Sequence, residues 1–416
     1  MFLIAIGAIV GILVPAGPGW DFANFYDTGM RAAAGQIADI YDPKTLINGE
    51  KPQGNLDFWG TPISAYLYVP MSWLPPTRAL LAFKIENTLA YFIALFLLFR
   101  HMRQFAPEDP ENRNLYAAQF ASAALLFQPF WTVYRVGGQT SPTVFLLLTL
   151  ALIAHYKGRF KWSALCFITT VMIKPAFATG LGFLMLVSGM QFFTLACILL
   201  GLFGLFSIAL IGWPLHLEFL LKMLGHSAFI APWYYNSSLY ILVEQPKIWL
   251  ETHDPLTNLL PAFKILIPTV KLAFLSGFVW LVLKSRPSLV SGPAKNHFRF
   301  NLALLFFLMI SQTLWEHYLA LLFIPLSFIL AAKNRFNDEA RAIVWTIIFL
   351  SIGQNLIFIH WLQSIFTFQS LPAQIAICVF KTAPLWMTLV FLWRHHRSLF
   401  EAYSVPTAKF VRDVAG

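Results

Sequence analysis

The chain has 416 residues, of which 58% are hydrophobic, 16% aromatic and only 12% charged, and its net charge is +10. Soluble domains carry about 25% charged residues, so this composition, with a mean hydropathy of +0.65, excludes a soluble globular class. The positive balance calls for no nucleic-acid partner, because Lys and Arg collect in the cytoplasmic loops of multi-pass membrane proteins.

The apolar residues come in continuous blocks, such as 80–99, 191–213 and 263–283. A helix needs about 20 such residues to cross a hydrocarbon core of roughly 30 Å, and a barrel strand would alternate instead. Segment 2–14 lacks a basic n-region and a small-residue cleavage site, so it reads as a short first span and not a removable signal. Its shortness fits a start that lies further upstream. The positive-inside rule applied to Arg100/Arg103/Arg113, Lys157/Arg159/Lys161, Lys284/Arg286/Lys295/Arg299, Lys333/Arg335/Arg341 and Arg394/Arg397 then orders the chain. After the first span comes an outer loop, 17–77. Segment 80–99 returns, 115–133 exits and 144–156 returns. Segment 191–212 runs outward to a second outer loop, 214–261, and 263–283 comes back. Segments 299–314, 317–332, 342–359 and 375–393 alternate, leaving a cytoplasmic tail, 394–416.

Charge parity forces 162–189 to leave and return within about 28 residues, too few for two ordinary spans. Lys174-Pro175 lies in its middle, and proline interrupts a helix. The expectation is a broken pair of short helices meeting there. Irregular backbone at membrane depth must be buried in protein or line a cavity. Counting that pair separately gives about 12 segments in one integral membrane domain, 1–416, with two long non-helical stretches outside. Cys166, Cys197 and Cys378 lie singly in apolar segments and make neither a pair nor a metal motif.

Candidate chemistry gathers in the outer connections. Asp21 lies among Trp20, Phe22, Phe25 and Tyr26, where partial desolvation would raise its basicity and suit it as a general base for a hydroxyl. It also reads as the cap of a short interfacial helix, 22–34, and the two roles are compatible. Tyr41-Asp42-Pro43 reads as a turn. The aromatic and proline-rich stretch 58–76 reads as an interfacial belt or as the wall of a lipid-facing groove. Arg135 precedes Gly137-Gly138-Gln139; its fork suits a phosphate and the glycines allow close backbone approach. Lys174, isolated among apolar residues, either snorkels or faces a cavity where its charge could meet a lipid phosphate. Trp315-Glu316-His317-Tyr318 forms a polar turn between two spans, with no further ligand at the spacing zinc requires.

Taken in order, these pieces resemble glycosyltransferase family 87, polytopic enzymes of the GT-C fold that include polyprenyl-phosphomannose-dependent α-mannosyltransferases and related arabinofuranosyltransferases. The resemblance runs over roughly residues 17–320. It is carried by Trp20-Asp21-Phe22 through Tyr26, Gly35 and Tyr41-Asp42-Pro43, then by the 58–76 stretch. Gly138-Gln139 with Ser141-Pro142, Lys174-Pro175, Asn236-Ser237-Ser238-Leu239 and Trp315-Glu316-His317-Tyr318 complete it. Ser237 stands where the family usually has Gln, which bears on substrate specificity.

The resemblance implies inverting transfer of a sugar, mannose or else arabinofuranose, from a polyprenyl-phosphate donor to a glycan or glycolipid hydroxyl at the outer face of a plasma (inner) membrane. It implies Asp21 as base and His317, with Lys174 or Arg135, around the donor phosphate. Gln139 joins that phosphate group, and Tyr26, Asn236, Ser238, Trp315 and Glu316 are the expected substrate contacts. A phosphate monoester is already a good leaving group, so a base and cations suffice. No Asp-x-Asp pair occurs in either outer loop; a reaction without metal or cofactor is expected. The rival classes are a secondary transporter with its site at the Lys174-Pro175 break, a flippase or ligase for polyprenyl-linked oligosaccharides, and a membrane scaffold.

Overall fold

The computed structural model of the protein describes residues 20–41, 58–105, 110–127, 129–130, 138–178, 190–226, 236–251, 260–284, 292–311, 314–332, 338–352 and 371–399. The α-helices used below are α1 (Trp20–Ala33), α2 (Pro76–Arg103), α3 (Pro110–Leu126), α4 (Ser141–Tyr156), α5 (Phe160–Ile173), α6 (Met190–Ile211), α7 (Trp213–His226), α8 (Ile241–Glu251), α9 (Leu260–Lys284), α10 (Gly292–Ile310), α11 (Phe323–Ala331), α12 (Asp338–Ile352) and α13 (Leu371–Arg394). Among the described residues there is no strand, only an isolated bridge between Asn236 and Trp315. Helices α2, α6 and α13 are each long and apolar enough to cross a membrane, and α4, α5 and the run Glu316–Ala331 are shorter apolar helices. Helix α9 is 25 residues long and covers the expected span 263–283. The protein is helical and membrane-integral. The first span 2–14, Asp42-Pro43, residues 131–137, 179–189 and the tail from 400 lie outside the described residues.

Two compact units divide the chain: 1–97 with 130–228, and 98–129 with 229–416. In the first, α4 and α5 form an antiparallel hairpin. Its turn is a Schellman closure: Gly158 takes φ +68°, and Arg159 N donates to Ala154 O at 2.8 Å. The buried Ser163 hydroxyl meets His155 Nδ1 at 3.3 Å across the pair. Helix α6 packs against α5 but leaves Leu202, Leu205, Phe206 and Leu210 exposed, the pattern of a helix that faces lipid. In the second unit, α10, α11 and the Glu316–Leu322 turn supply a continuous buried apolar core.

Three expectations need correction. Segment 214–261 is not a non-helical loop, for it carries most of α7 and all of α8. Leu215, Phe219 and Lys222 recur at helical spacing on the inner side of α7, while Leu217, Leu220, Leu221 and Leu224 are exposed, so the helix buries one stripe only. Pro214 sits in its first turn, where no N–H is needed. Segment 17–77 likewise contains α1 and a 3-10 helix, Pro62–Tyr68. Finally, α1 begins at Trp20, which places Asp21 inside the first turn instead of at the cap.

The break at Lys174-Pro175 is present. Helix α5 ends at Ile173, Lys174 adopts φ −136° and ψ 86°, and a 3-10 turn, Pro175–Phe177, follows.

Candidate functional site

Helix α1 carries Asp21 and is fixed from three sides. Phe22, Phe25 and Tyr26 are buried in a cluster with Tyr41, Phe58, Tyr68 and Phe83, and Phe25 stacks on Tyr68 with centroids 4.8 Å apart. Gly29 lies mid-helix, where glycine costs about 1 kcal/mol relative to alanine. Its reason is proximity: a Cβ there would stand 2.3 Å from the Tyr68 carbonyl oxygen. Asp27 and Arg31 form a buried i,i+4 pair at 3.0 Å, and Arg31 also donates to the Asp39 carbonyl. Gly35, at φ +74°, closes the helix, with Gln36 N donating to Arg31 O at 2.8 Å.

Gln139 reaches α1 through the residue before it. Gly138 takes φ +86°, and a Cβ on it would press against Phe22 and Phe83 at 3.3 Å. Only glycine combines that dihedral with that approach. Gln139 is therefore held, buried, two residues ahead of α4 and beside the first turn of α1.

Lys174 follows from the end of α5. A helix leaves its last carbonyls without intrahelical partners, and here they are answered from two directions. Lys174 N donates to Thr170 O at 2.8 Å. The Met172 carbonyl receives both the Thr61 hydroxyl, at 2.8 Å, and the Thr61 N–H, at 3.3 Å. This clamps the loop ahead of the Pro62–Tyr68 helix to the end of α5. The lysine then turns back, with Nζ 2.8 Å from Gln139 Oε1 and 5.7 Å from the centroid of Phe25.

The result is a chain of three polar groups in an aromatic setting. The Gln139 side chain also hydrogen-bonds Asp21. Since its carbonyl oxygen accepts from Lys174, its amide nitrogen is the group free in geometry to donate to the carboxylate. Burial pushes the Asp21 carboxyl above the usual range; the Gln139 hydrogen bond and, to a smaller extent, the Lys174 charge pull the other way without cancelling it. Asp21 remains partly exposed. A carboxylate of raised basicity with an open side is a better proton acceptor for a hydroxyl than an ordinary one.

A second cluster occupies the other unit. Asn236, Ser237 and Ser238 are fully buried. Asn236 Oδ1 accepts from Ser238 N at 2.9 Å and from Leu314 N at 2.8 Å, and Ser237 N donates to Leu314 O at 2.7 Å. The Ser238 hydroxyl accepts from Tyr240 N at 3.1 Å. The Asn-Ser-Ser motif thus grips the backbone just ahead of Trp315. From Glu316 the chain enters a 3-10 helix, Glu316–Leu322. Glu316 meets the Lys381 ammonium at 3.2 Å, and the His317 ring lies against Tyr318, centroids 4.6 Å apart.

The structure brings Asp21, Gln139 and Lys174 together in one unit, and Asn236, Ser238, Trp315, Glu316 and His317 together in the other. Tyr26 lies on the same helix as Asp21, but its hydroxyl donates to the Leu74 carbonyl at 2.8 Å. Arg135 lies outside the described residues. The sequence reading missed Lys381, although the rule that drew attention to Lys174 applies to it: a lysine within an apolar span is costly and needs a partner. It also missed Lys222, which stands over the rings of Trp59 at 4.9 Å and Tyr41 at 5.3 Å.

No curated protein matches the chain. The profile of glycosyltransferase family 87 matches residues 58–311, a stretch that includes Gln139, Lys174, Asn236 and Ser238. Asp21 and the Trp315–His317 turn fall outside it. Because the match covers more than half of a helical membrane chain, the protein belongs to glycosyltransferase family 87.

Proposed function

We propose that this membrane glycosyltransferase moves a sugar, mannose or alternatively arabinofuranose, from a polyprenyl-phosphate donor to a glycan or glycolipid hydroxyl at the outer face of the plasma membrane. The observation that carries the reading is the Asp21–Gln139–Lys174 chain. It places a carboxylate of raised basicity two contacts from a cation at a helix break.

In this mechanism Asp21 takes the proton of the acceptor hydroxyl as its oxygen attacks the anomeric carbon. The new C–O bond forms opposite the phosphate, so the anomeric configuration inverts. The anomeric C–O bond to phosphate breaks, and its electron pair leaves with the polyprenyl phosphate. Lys174 meets the charge that develops there, as preorganised cations do in phosphoryl leaving groups. Gln139 holds base and cation apart through a neutral amide. A close cation would lower a carboxylate by about 1–3 pKa units and weaken it as a base; the Lys174 charge is the smallest of the influences on Asp21. His317 serves the donor phosphate in the same reading, and Asn236 and Ser238 act by holding the backbone that leads to it. Since the leaving group needs no acid and the outer segments hold no Asp-x-Asp pair, the reaction is proposed to run without a metal or cofactor.

The test is a transfer assay with purified protein, polyprenyl-phosphomannose and polyprenyl-phosphoarabinose. The parent chain should use one of them, and Asp21→Ala should lower kcat by about a hundredfold or more, as loss of a general base does. An Asp21→Ala protein that transfers sugar at the parent rate would overturn the proposal.

A further inference from the structure

Glu316 and Lys381 form an ion pair at 3.2 Å, with 6% of the glutamate side chain exposed and none of the lysine. Lys381 projects from the middle of α13, a helix apolar enough to span a membrane. Two charges in such surroundings are expensive, and a packed apolar pair there is often equally stable or more so. Stability alone therefore gives no reason for the pair.

What Glu316 begins gives one. It is the first residue of the 3-10 helix Glu316–Leu322 and the immediate neighbour of His317. Seven residues is long for 3-10 geometry, whose hydrogen bonds are poorer than those of an α-helix, so its course depends on what holds its start. Asn236 holds the backbone at Leu314, and Ser237 N pairs with the Leu314 carbonyl. Those contacts fix where the turn begins. The Glu316 side chain leaves the turn for α13, 65 positions on in the sequence, and that contact fixes its rotation.

We propose that Lys381 is a positioning residue: through Glu316 it sets the direction in which the turn presents His317. The inference rests on the reading of His317 as a contact to the donor phosphate. Lys381 itself touches no substrate in this scheme.

The paired variant Lys381→Met/Glu316→Gln removes both charges and so leaves neither stranded. It should melt close to the parent, yet its kcat should fall about tenfold or more, since a misplacement of about 1 Å can cost up to a hundredfold. The rate at which diethyl pyrocarbonate modifies His317, followed by peptide mass spectrometry, should change while that at the half-buried His216 on α7 does not. Parent kcat and parent labelling in the paired variant would overturn the proposal, leaving the pair a purely structural contact. Should the paired variant not fold, Lys381→Gln is read by kcat and His317 labelling alone, because it leaves the Glu316 charge without its cation and lowers the melting temperature whatever the role of the pair. If the parent transfers neither sugar, the donor reading fails by itself, and the His317 labelling alone decides whether Lys381 positions the turn.

Discussion

The Lys174 ammonium donates to Gln139 Oε1 at 2.8 Å, and the same glutamine side chain hydrogen-bonds Asp21. The amide therefore communicates between a cation and a carboxylate while carrying no charge of its own. Its removal has a definite sign. Gln139→Leu takes away a hydrogen bond that lowers the Asp21 pKa, so the acid limb of the kcat/KM profile, which reports the base in the free enzyme, should move to higher pH. Lys174→Met should move it the same way by a smaller amount. The limb of the parent should already lie above the ordinary carboxylate range of about 4. A pH profile of the two variants beside the parent checks all three positions.

Asp21 should also cost stability. Its folded-state pKa is raised, so the ionised carboxylate opposes folding. That cost is absent below the unfolded value of about 3.9, grows as pH rises through it, and is complete above the folded value. Asp21→Asn should therefore melt at a higher temperature than the parent at pH 7 and at the same temperature near pH 3, while transferring sugar far more slowly. Thermal unfolding in detergent at the two pH values measures it.

The two close approaches of α1 can be tested separately. Gly29→Ala sets a Cβ against the Tyr68 carbonyl, a backbone atom that cannot swing aside, and overpacking of this kind costs about 1–3 kcal/mol. Gly138→Ala adds positive-φ strain of about 1–2 kcal/mol and moves Gln139 as well. Both should lower the melting temperature. Only Gly138→Ala should also shift the pH profile, because Gly29 lies away from the polar chain.

Asn236→Ala should remove the acceptor shared by Ser238 N and Leu314 N. Leaving buried donors unanswered costs about 1–3 kcal/mol each. Asn236→Asp keeps the accepting oxygen and should recover part of the loss. Unfolding midpoints of the two variants should separate accordingly, with alanine the lower.

Much of the first unit was legible because its signals are local. Pro175 after a lysine announced the break, and Gly138 announced a close approach. What sequence could not reveal are partners chosen across long separations. Lys381 reads as one more lysine until Glu316 is found beside it, 65 residues away. The Asn-Ser-Ser motif was visible, but its use was not: a buried asparagine can face a substrate or hold a backbone, and only the Leu314 N–H decides. Helices α7 and α8 were overlooked because charge and proline in 214–261 resemble a loop. The stripe of Leu215, Phe219 and Lys222 has the helical spacing, but the equally apolar outer side of α7 hides it.

The Thr61–Met172 clamp has a consequence for synthesis. Its two halves lie 111 residues apart, and the first compact unit is itself interrupted by residues 98–129, which belong to the second. As the chain emerges from the ribosome, the segment bearing Asp21 is made first but gains its anchor only when the end of α5 has been delivered. Gln139 and Lys174 arrive on that same late hairpin, α4 and α5. Gln139 comes with α4 and Lys174 with the end of α5, so a nascent chain halted ahead of α5 holds Asp21 with its hydrogen-bond partner but without the neighbouring cation and the fixed loop.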